Sequence, residues 1–321
     1  MKTLKIGNVE LENRYILAPM AGVSDLPFRL LCKEQGAGLV CMEMVSAKAI
    51  YYNNKNTDQL MEIHPDEGPV SLQLFGSDPK IMGEMAKRIE ERPFSILDVN
   101  MGCPVPKVVN NHEGSALMKN PKLVEEIVTS LVKAIEKPVT VKIRKGFDEN
   151  NVNAVEIAKI AEACGAAAVA VHGRTREQYY SGKADWEIIA RVKDAVKIPV
   201  IGNGDVTDIE SAQKLMEQTK CDGVMVGRAV RGNPFLFREL VHFEQTGQRC
   251  AKATPQEVRE AILKHAALQI EYKGEYTAVR EMRKHISWYS AGYPGSTKLR
   301  AKINEMENMD DILAIVEKIF V

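Results

Sequence analysis

Cys103, Lys142 and His172 all stand where apolar runs of the sequence break off or are interrupted. Cys103 follows the β-rich run Ile96-Leu-Asp-Val-Asn-Met101 and sits between Gly102 and Pro104. Gly frees the backbone, while Pro104 cannot donate to a strand ladder and biases Cys103 away from helix. The run therefore ends there, with the thiol on a loop at a strand's carboxyl end. In α/β sheets and barrels that edge carries the chemistry. A single free cysteine otherwise reads as a compact buried hydrophobe. Lys142 interrupts Val139-Thr-Val-Lys-Ile143, where an unpaired ammonium is costly to bury. Such a lysine either reaches water at the strand mouth or faces an electron-rich ligand. His172 closes Ala168-Val-Ala-Val-His172 at the same edge, and Gln73, inside Val70-Ser-Leu-Gln-Leu74, needs a hydrogen-bond partner or a ligand.

Two glycine-rich segments add an anion site. Gly202-Asn-Gly-Asp205 and Gly227-Arg-Ala229 follow the last two β-like runs. Backbone N–H groups and a helix N-terminus hold phosphate at that place in a barrel, and Arg228 can fork onto phosphate oxygens. Pro19-Met-Ala-Gly22 ends the first run in small residues, as a tight turn or a close approach to a flat ring would require. No G-x-G-x-x-G occurs, so a Rossmann dinucleotide domain is unsupported.

The elements that must position these residues alternate. Eight β-like runs begin at Tyr15, Leu39, Val70, Ile96, Val139, Ala168, Pro199 and Gly223. Most are continuously apolar, as parallel strands buried on both faces are. Helical stretches lie between them: one from Asp25, then Pro79–Glu90, Pro121–Ile135, Asn153–Cys164, Trp186–Val196 and Ile209–Gln218. This predicts an α/β (β/α)₈ TIM barrel, with an open doubly wound sheet as the lesser fit. After Phe237 the pattern changes. Thr254-Pro-Gln-Glu257 is a capping-box start, and Val258–Tyr272, Ala278–Ser290, Thr297–Met306 and Met309–Phe320 read as helices. The expected division is a catalytic barrel over 1–247 and a small all-helical domain over 248–321.

Composition narrows the class. A chain of 321 residues, 45% hydrophobic and 27% charged, can bury one large core with an appendage. Lys plus Arg and Asp plus Glu are 43 each, so a polyanionic partner would need a local basic patch. The tail offers one in Arg280, Arg283, Lys284, Lys298, Arg300 and Lys302, opposed by Glu281. Arg174 and Arg176 flank His172 near Tyr179 and Tyr180. Six scattered cysteines without a C-x-x-C pair argue against a metal site or disulfide framework. No apolar run reaches membrane-spanning length and no signal peptide opens the chain, so the expectation is a cytoplasmic monomer off the membrane.

Asn100-Met-Gly-Cys-Pro104, with Lys107 and Gly114-Ser-Ala-Leu117, resembles the signature of the tRNA-dihydrouridine synthases, flavin enzymes that reduce uridine in tRNA. The likeness continues in order through Ala18-Pro-Met-Ala-Gly22, Gln73-Leu-Phe-Gly76, His172-Gly-Arg-Thr175 and both glycine-rich segments, across nearly the whole chain. His112 departs from it, at a place where Gly or an apolar residue is commoner. The resemblance implies FMN, with Asn203, Gly204, Asp205, Gly227 and Arg228 at its phosphate end. Pro19, Met20 and Ala21 would lie against the isoalloxazine, Gln73 at its edge and Lys142 beside its electron-rich end. His172 would face flavin or substrate, and NADPH (or NADH) would be a transient reductant.

Hydride enters uracil at C6 and a proton must reach C5; the resemblance assigns Cys103 as that general acid. Covalent attack by the thiolate at C6 would occupy the hydride's position. Asn100 would touch flavin or base. Arg174, Arg176, Arg280, Arg283, Lys284, Lys298 and Arg300 would hold tRNA, whose target base must flip out of its stack. Two other readings compete: an FMN barrel reducing a free pyrimidine, of dihydroorotate dehydrogenase type, and an RNA-binding barrel without chemistry. The basic helical tail argues against the first, and intact Cys103, Lys142 and phosphate loops against the second.

Overall fold

The computed structural model describes residues 3–320; Met1, Lys2 and Val321, the extreme ends of the two expected segments, lie outside the described residues. The eight expected runs become eight strands: β1 Tyr15–Leu17, β2 Leu39–Ser46, β3 Val70–Phe75, β4 Ile96–Met101, β5 Val139–Arg144, β6 Ala168–His172, β7 Val200–Asn203 and β8 Gly223–Val226. They pair in chain order, all parallel, and β8 closes onto β1 with Val224 opposite Tyr15. Closure makes this a TIM barrel rather than the open sheet. β2 runs past its expected end because its register slips between Cys41 and Met44.

The helices that face the strands are α1 Leu26–Glu34, α2 Ala47–Tyr51, α3 Pro79–Ile89, α4 Pro121–Ala134, α5 Ala154–Ala163, α6 Trp186–Ala195, α7 Ile209–Thr219 and α8 Leu236–Thr246. Their starts follow from local chemistry. Asp25, Asp78 and Asn120 each accept a hydrogen bond from an orphan N–H of the first turn, and Pro occupies the first or second helical position in all three. A two-stranded hairpin, Leu4–Ile6 with Val9–Leu11, was not expected from the sequence. Its Leu4, Ile6 and Leu11 pack with Ile16, Leu39, Ile96, Ile201 and Met225, sealing one end of the barrel. Chemistry is thereby confined to the other.

Gly247, in the left-handed region, ends α8, and the capping box at Thr254 opens the tail: α9 Pro255–Lys273, α10 Glu275–Tyr289, α11 Ser296–Glu305 and α12 Met309–Ile319. Val258, Ile262, Val279, Met282, Ile286, Ile303, Ile312 and Val316 form its core, which also takes in Phe235 from the start of α8. Each fully buried side chain of this kind contributes about 1.5–3 kcal/mol. The tail rests on the barrel through Phe28 of α1, whose ring lies 5.7 and 5.8 Å from the rings of His265 and His285. It also rests on Gly232 (φ 69°), where a Cβ would fall 2.3 Å from the Trp288 carbonyl carbon.

Candidate active site

A cavity of about 890 Å³ opens at the carboxyl ends of the strands, within the range of small-ligand sites. Pro19, Met20, Ala21, Gln73, Asn100, Cys103, Lys142, His172, Asn203, Gly204, Asp205, Gly227 and Arg228 all line it. Strand ends scattered over more than two hundred residues are thus brought to one place.

Its floor is a chain of hydrogen bonds that begins at buried Asp98 in β4. Asp98 accepts from Thr140 Oγ1 and from Gln73 Nε2, both at 2.7 Å. A carboxylate can only accept, so it fixes which end of the Gln73 amide faces it. Gln73 Oε1 then accepts from Asn100 Nδ2 at 2.8 Å, and Asn100 Oδ1 accepts from Cys103 N at 2.8 Å. Burial pushes the Asp98 carboxyl up, while the bonds from Gln73 and Thr140 hold it down in part.

Cys103 is therefore held from below by Asn100, and its carbonyl accepts from both Ser115 N and Ser115 Oγ. The loop between them turns at His112 and Gly114, both at positive φ, 60° and 61°. Glycine adopts that region at no steric cost, which explains why His112 stands out at its position. Burial pushes the thiol above its ordinary value; the Val105 N–H and the cations Arg144 and Lys142 offset this in part. The thiol is therefore protonated at neutral pH.

Lys142 has three donors and one hydrogen bond, from Nζ to Asn203 Oδ1 at 3.2 Å. Asn203 is oriented for this by donating to Met225 O at 2.8 Å. Burial and neighbouring Arg144 lower the Lys142 pKa to about 8, so the ammonium is still charged at pH 7. His172 is held far below its ordinary value, first by burial and then by Lys142, Arg144, Arg174 and Arg228. It enters chemistry as neutral imidazole.

Gly204 (φ 125°) and Asp205 (φ 57°) bend the chain after β7, and a Cβ on Gly204 would lie 2.7 Å from that of Ala184. Burial would raise the Asp205 carboxyl, but Arg174, the Ala184 N–H and Arg228 together lower it. Arg228 is half-exposed, 3.4 Å from Asp205 and stacked 4.6 Å from the Tyr180 ring centre. Its side chain lines the cavity.

The residues expected to hold a polyanion divide. Arg174 is buried and does not line this cavity: it binds Ser181 O, Gly182 O and both Asp205 oxygens, so it shapes the Gly204-Asp205 turn from behind. Arg176 turns away to lie over Phe147 at 5.3 Å. Arg283 is spent on the end of α11, donating twice to Met306 O. Arg280 stacks 3.5 Å from the Tyr276 ring centre. Lys284 reaches the mouth, its Nζ 3.5 Å from where a Cβ on Gly22 would stand. Lys298 and Arg300 are exposed and form no ion pair among the described residues. Glu281, expected to oppose this cluster, pairs instead with Lys273.

Sequence reasoning missed Asp98 and Arg144. Both carried a signal: Asp98 is a charge within an apolar strand, and Arg144 follows Lys142 by two, on the same side of β5. Among the described residues no group of three or more His, Cys, Asp or Glu is placed to hold a metal ion, and no helix is long and apolar enough to cross a membrane.

A closed barrel with a thiol, a buried cation and a glycine turn beside Arg228 at one mouth fits a barrel oxidoreductase rather than a passive scaffold. The chain belongs to the dihydrouridine synthase family, whose model matches residues 16–321. It is 45% identical to tRNA-dihydrouridine synthase B of Pseudomonas aeruginosa over 100% of this chain and 96% of that protein. It is 44% identical to the probable tRNA-dihydrouridine synthase of Rickettsia bellii over 98% and 96%. The family match sets aside the free-pyrimidine reductase. Among solved structures, 6-hydroxypseudooxynicotine amine oxidase from Pseudomonas geniculata N1 superposes with a TM-score of 0.59 at 16% identity, and histamine dehydrogenase from Rhizobium sp. 4-9 with 0.56 at 13%. The chain covers 81% and 83% of its own length in these matches but about half of those chains, 52% and 50%, and the likeness is one of fold.

Proposed function

We propose that this protein reduces uridine in tRNA to 5,6-dihydrouridine, with FMN as its resident cofactor and NADPH as the reductant. The residues present fit FMN. The positive-φ turn at Gly204-Asp205 and the half-exposed Arg228 suit its phosphate, the small stretch Pro19–Ala21 suits its flat ring, and Lys142 has donors to spare. FMN, when bound, supplies the hydride that enters C6 of uracil. Lys142 would set a positive charge beside the bound cofactor's ring and so stabilise its reduced form. Cys103 gives its Sγ proton to C5, and Asn100 and Ser115 hold the loop that presents it.

The observation that carries this reading is that Cys103, Lys142 and the Gly204-Asp205 turn with Arg228 line the same cavity. A tRNA partner is supported by the rim. Tyr179 and Tyr180, both exposed, line the cavity, where unstacked bases can lie on aromatic faces. In Cys103→Ala the fold and FMN content are retained and reduction by NADPH proceeds. Reoxidation by unmodified tRNA, followed by stopped-flow absorbance, slows by ~10²–10⁴-fold. Reoxidation at the wild-type rate would sink the proton-donor assignment.

A further inference from the structure

Arg144 ends β5 two residues beyond Lys142 and is 3% exposed. A guanidinium so buried must find an acceptor for each N–H it turns inward. No carboxylate pairs with it among the described residues. Its acceptors are three backbone carbonyls: Nε donates to Gly102 O at 2.7 Å, and Nη1 donates to Thr175 O and to Tyr179 O, both at 2.9 Å.

The first of these belongs to the residue directly before Cys103. The other two bracket the turn that presents Tyr179 and Tyr180 to the cavity, and the guanidinium carbon lies 5.8 Å from the Tyr180 ring centre. Gly102 is gripped on its other side too, since its N–H donates to Asn100 Oδ1 at 3.2 Å. The peptide that follows is gripped on both edges, its Cys103 N–H by Asn100 Oδ1 of β4 and its Gly102 carbonyl by Arg144 of β5. Three carbonyls in different directions match a planar fork of five donors and cannot all be met by a single ammonium on a flexible stem.

We infer that Arg144 is a positioning residue, a fixed cationic brace that ties the Cys103 loop to the Tyr179–Tyr180 loop and so sets where the thiol meets the base. Burial, with repulsion from Arg174, lowers its pKa to about 10, and it stays charged at neutral pH. The groups acting on the thiol are the Val105 N–H of its own loop and Arg144 and Lys142 of β5.

The inference rests on Cys103 as proton donor, but its test reads the thiol itself. Iodoacetamide labelling of Cys103 in the FMN-loaded protein is followed against pH by peptide mass spectrometry, which separates it from the partly exposed Cys164 and Cys250. Wild type, Arg144→Met and Arg144→Lys are compared, with FMN content and Tm recorded for each. Met removes both charge and brace: the labelling midpoint rises by about one pH unit, and reoxidation by tRNA slows by ~10²-fold, the cost of an ångström's misplacement. Lys keeps the charge but not the fork, so the midpoint stays near wild type while reoxidation slows as in Met. A folded Met variant with the wild-type labelling profile, or a Lys variant with full reoxidation rate, overturns the inference. Where Met does not fold, the Lys variant decides alone. Wild-type turnover by Cys103→Ala would remove the donor reading and leave the labelling result standing, so the two failures are told apart.

Discussion

Lys273 Nζ and Asp25 Oδ2 lie 2.6 Å apart although 248 positions separate them in the chain. Asp25 serves two elements at once. Its Oδ1 caps α1 by accepting from Phe28 N, and its Oδ2 accepts from Lys273 and from Gln269, both on α9. Lys273 is held in turn by Glu281 of α10 at 2.6 Å. The segment between β1 and α1 also lines the cavity, and its Gly22 N–H donates to Glu43 on β2. The tail is thus fastened to the wall of the candidate site.

Lys273→Met would leave the Asp25 carboxylate buried without its cation. A loss of about 3–5 kcal/mol is expected from a broken buried pair, read from chemical unfolding. Burial acts to raise the Asp25 carboxyl, but Lys273 and His265 lower it below 3.8, and the two acids raise Lys273 above 10.5 against its own burial. The pair's contribution is therefore full between those values, lost as pH falls below the first or rises above the second. In Lys273→Met those two edges of the stability profile should soften together.

The buried histidines set a milder pH limit. His265 and His285 are fully buried with rings 4.5 Å apart, and neither His285 nitrogen finds a partner among the described residues. Burial lowers His265 to about 4 and His285 well below its ordinary value. The unfolded chain takes up these protons near pH 6.5 and the folded chain does not, so stability falls as pH drops from 6.5 towards 4. Thermal unfolding from pH 8 to 4 should show that slope, and His285→Phe should flatten it. An unchanged slope in His285→Phe would mean that other groups carry it.

Arg228→Ala should weaken FMN binding by about 10–150-fold, the worth of a charge-assisted hydrogen bond at roughly 1.5–3 kcal/mol. Retained flavin fluorescence after dialysis measures it. Because Arg174 holds Asp205 independently of Arg228, the fold should survive. Undiminished affinity would take Arg228 off the phosphate.

The basic tail is best tested one residue at a time. Arg283→Glu should destabilise the tail, since Arg283 satisfies the Met306 carbonyl at the end of α11. Lys284→Glu should leave Tm near wild type, weaken tRNA binding and reduce its salt slope by about one. Filter binding across a salt series, beside Tm, separates the two. Lys284→Glu with wild-type affinity at low salt would place the RNA elsewhere.

The barrel was legible residue by residue. Continuous apolar runs bounded by Gly and Pro mark Val70–Phe75 or Val139–Arg144 as strands, and Asp78-Pro79 or Thr254-Pro255 as helix starts, because these signals are local. The hairpin Leu4–Ile6 and Val9–Leu11 was not, since three-residue strands carry too little pattern and owe their place to packing against the barrel end. The same split runs through the site. Cys103 and His172 declare themselves at strand ends and Lys142 as a charge within one, whatever the rest of the chain does. The sequence could not say that Arg174 turns inward to Asp205, that Arg283 caps a helix, or that Arg144 reaches three carbonyls on two separate loops. A side chain's type and strand position are fixed by neighbours along the chain, but the acceptor its charge finds is fixed by closure of the barrel. Only the tertiary structure brings Gly102, Thr175 and Tyr179 within reach of one guanidinium.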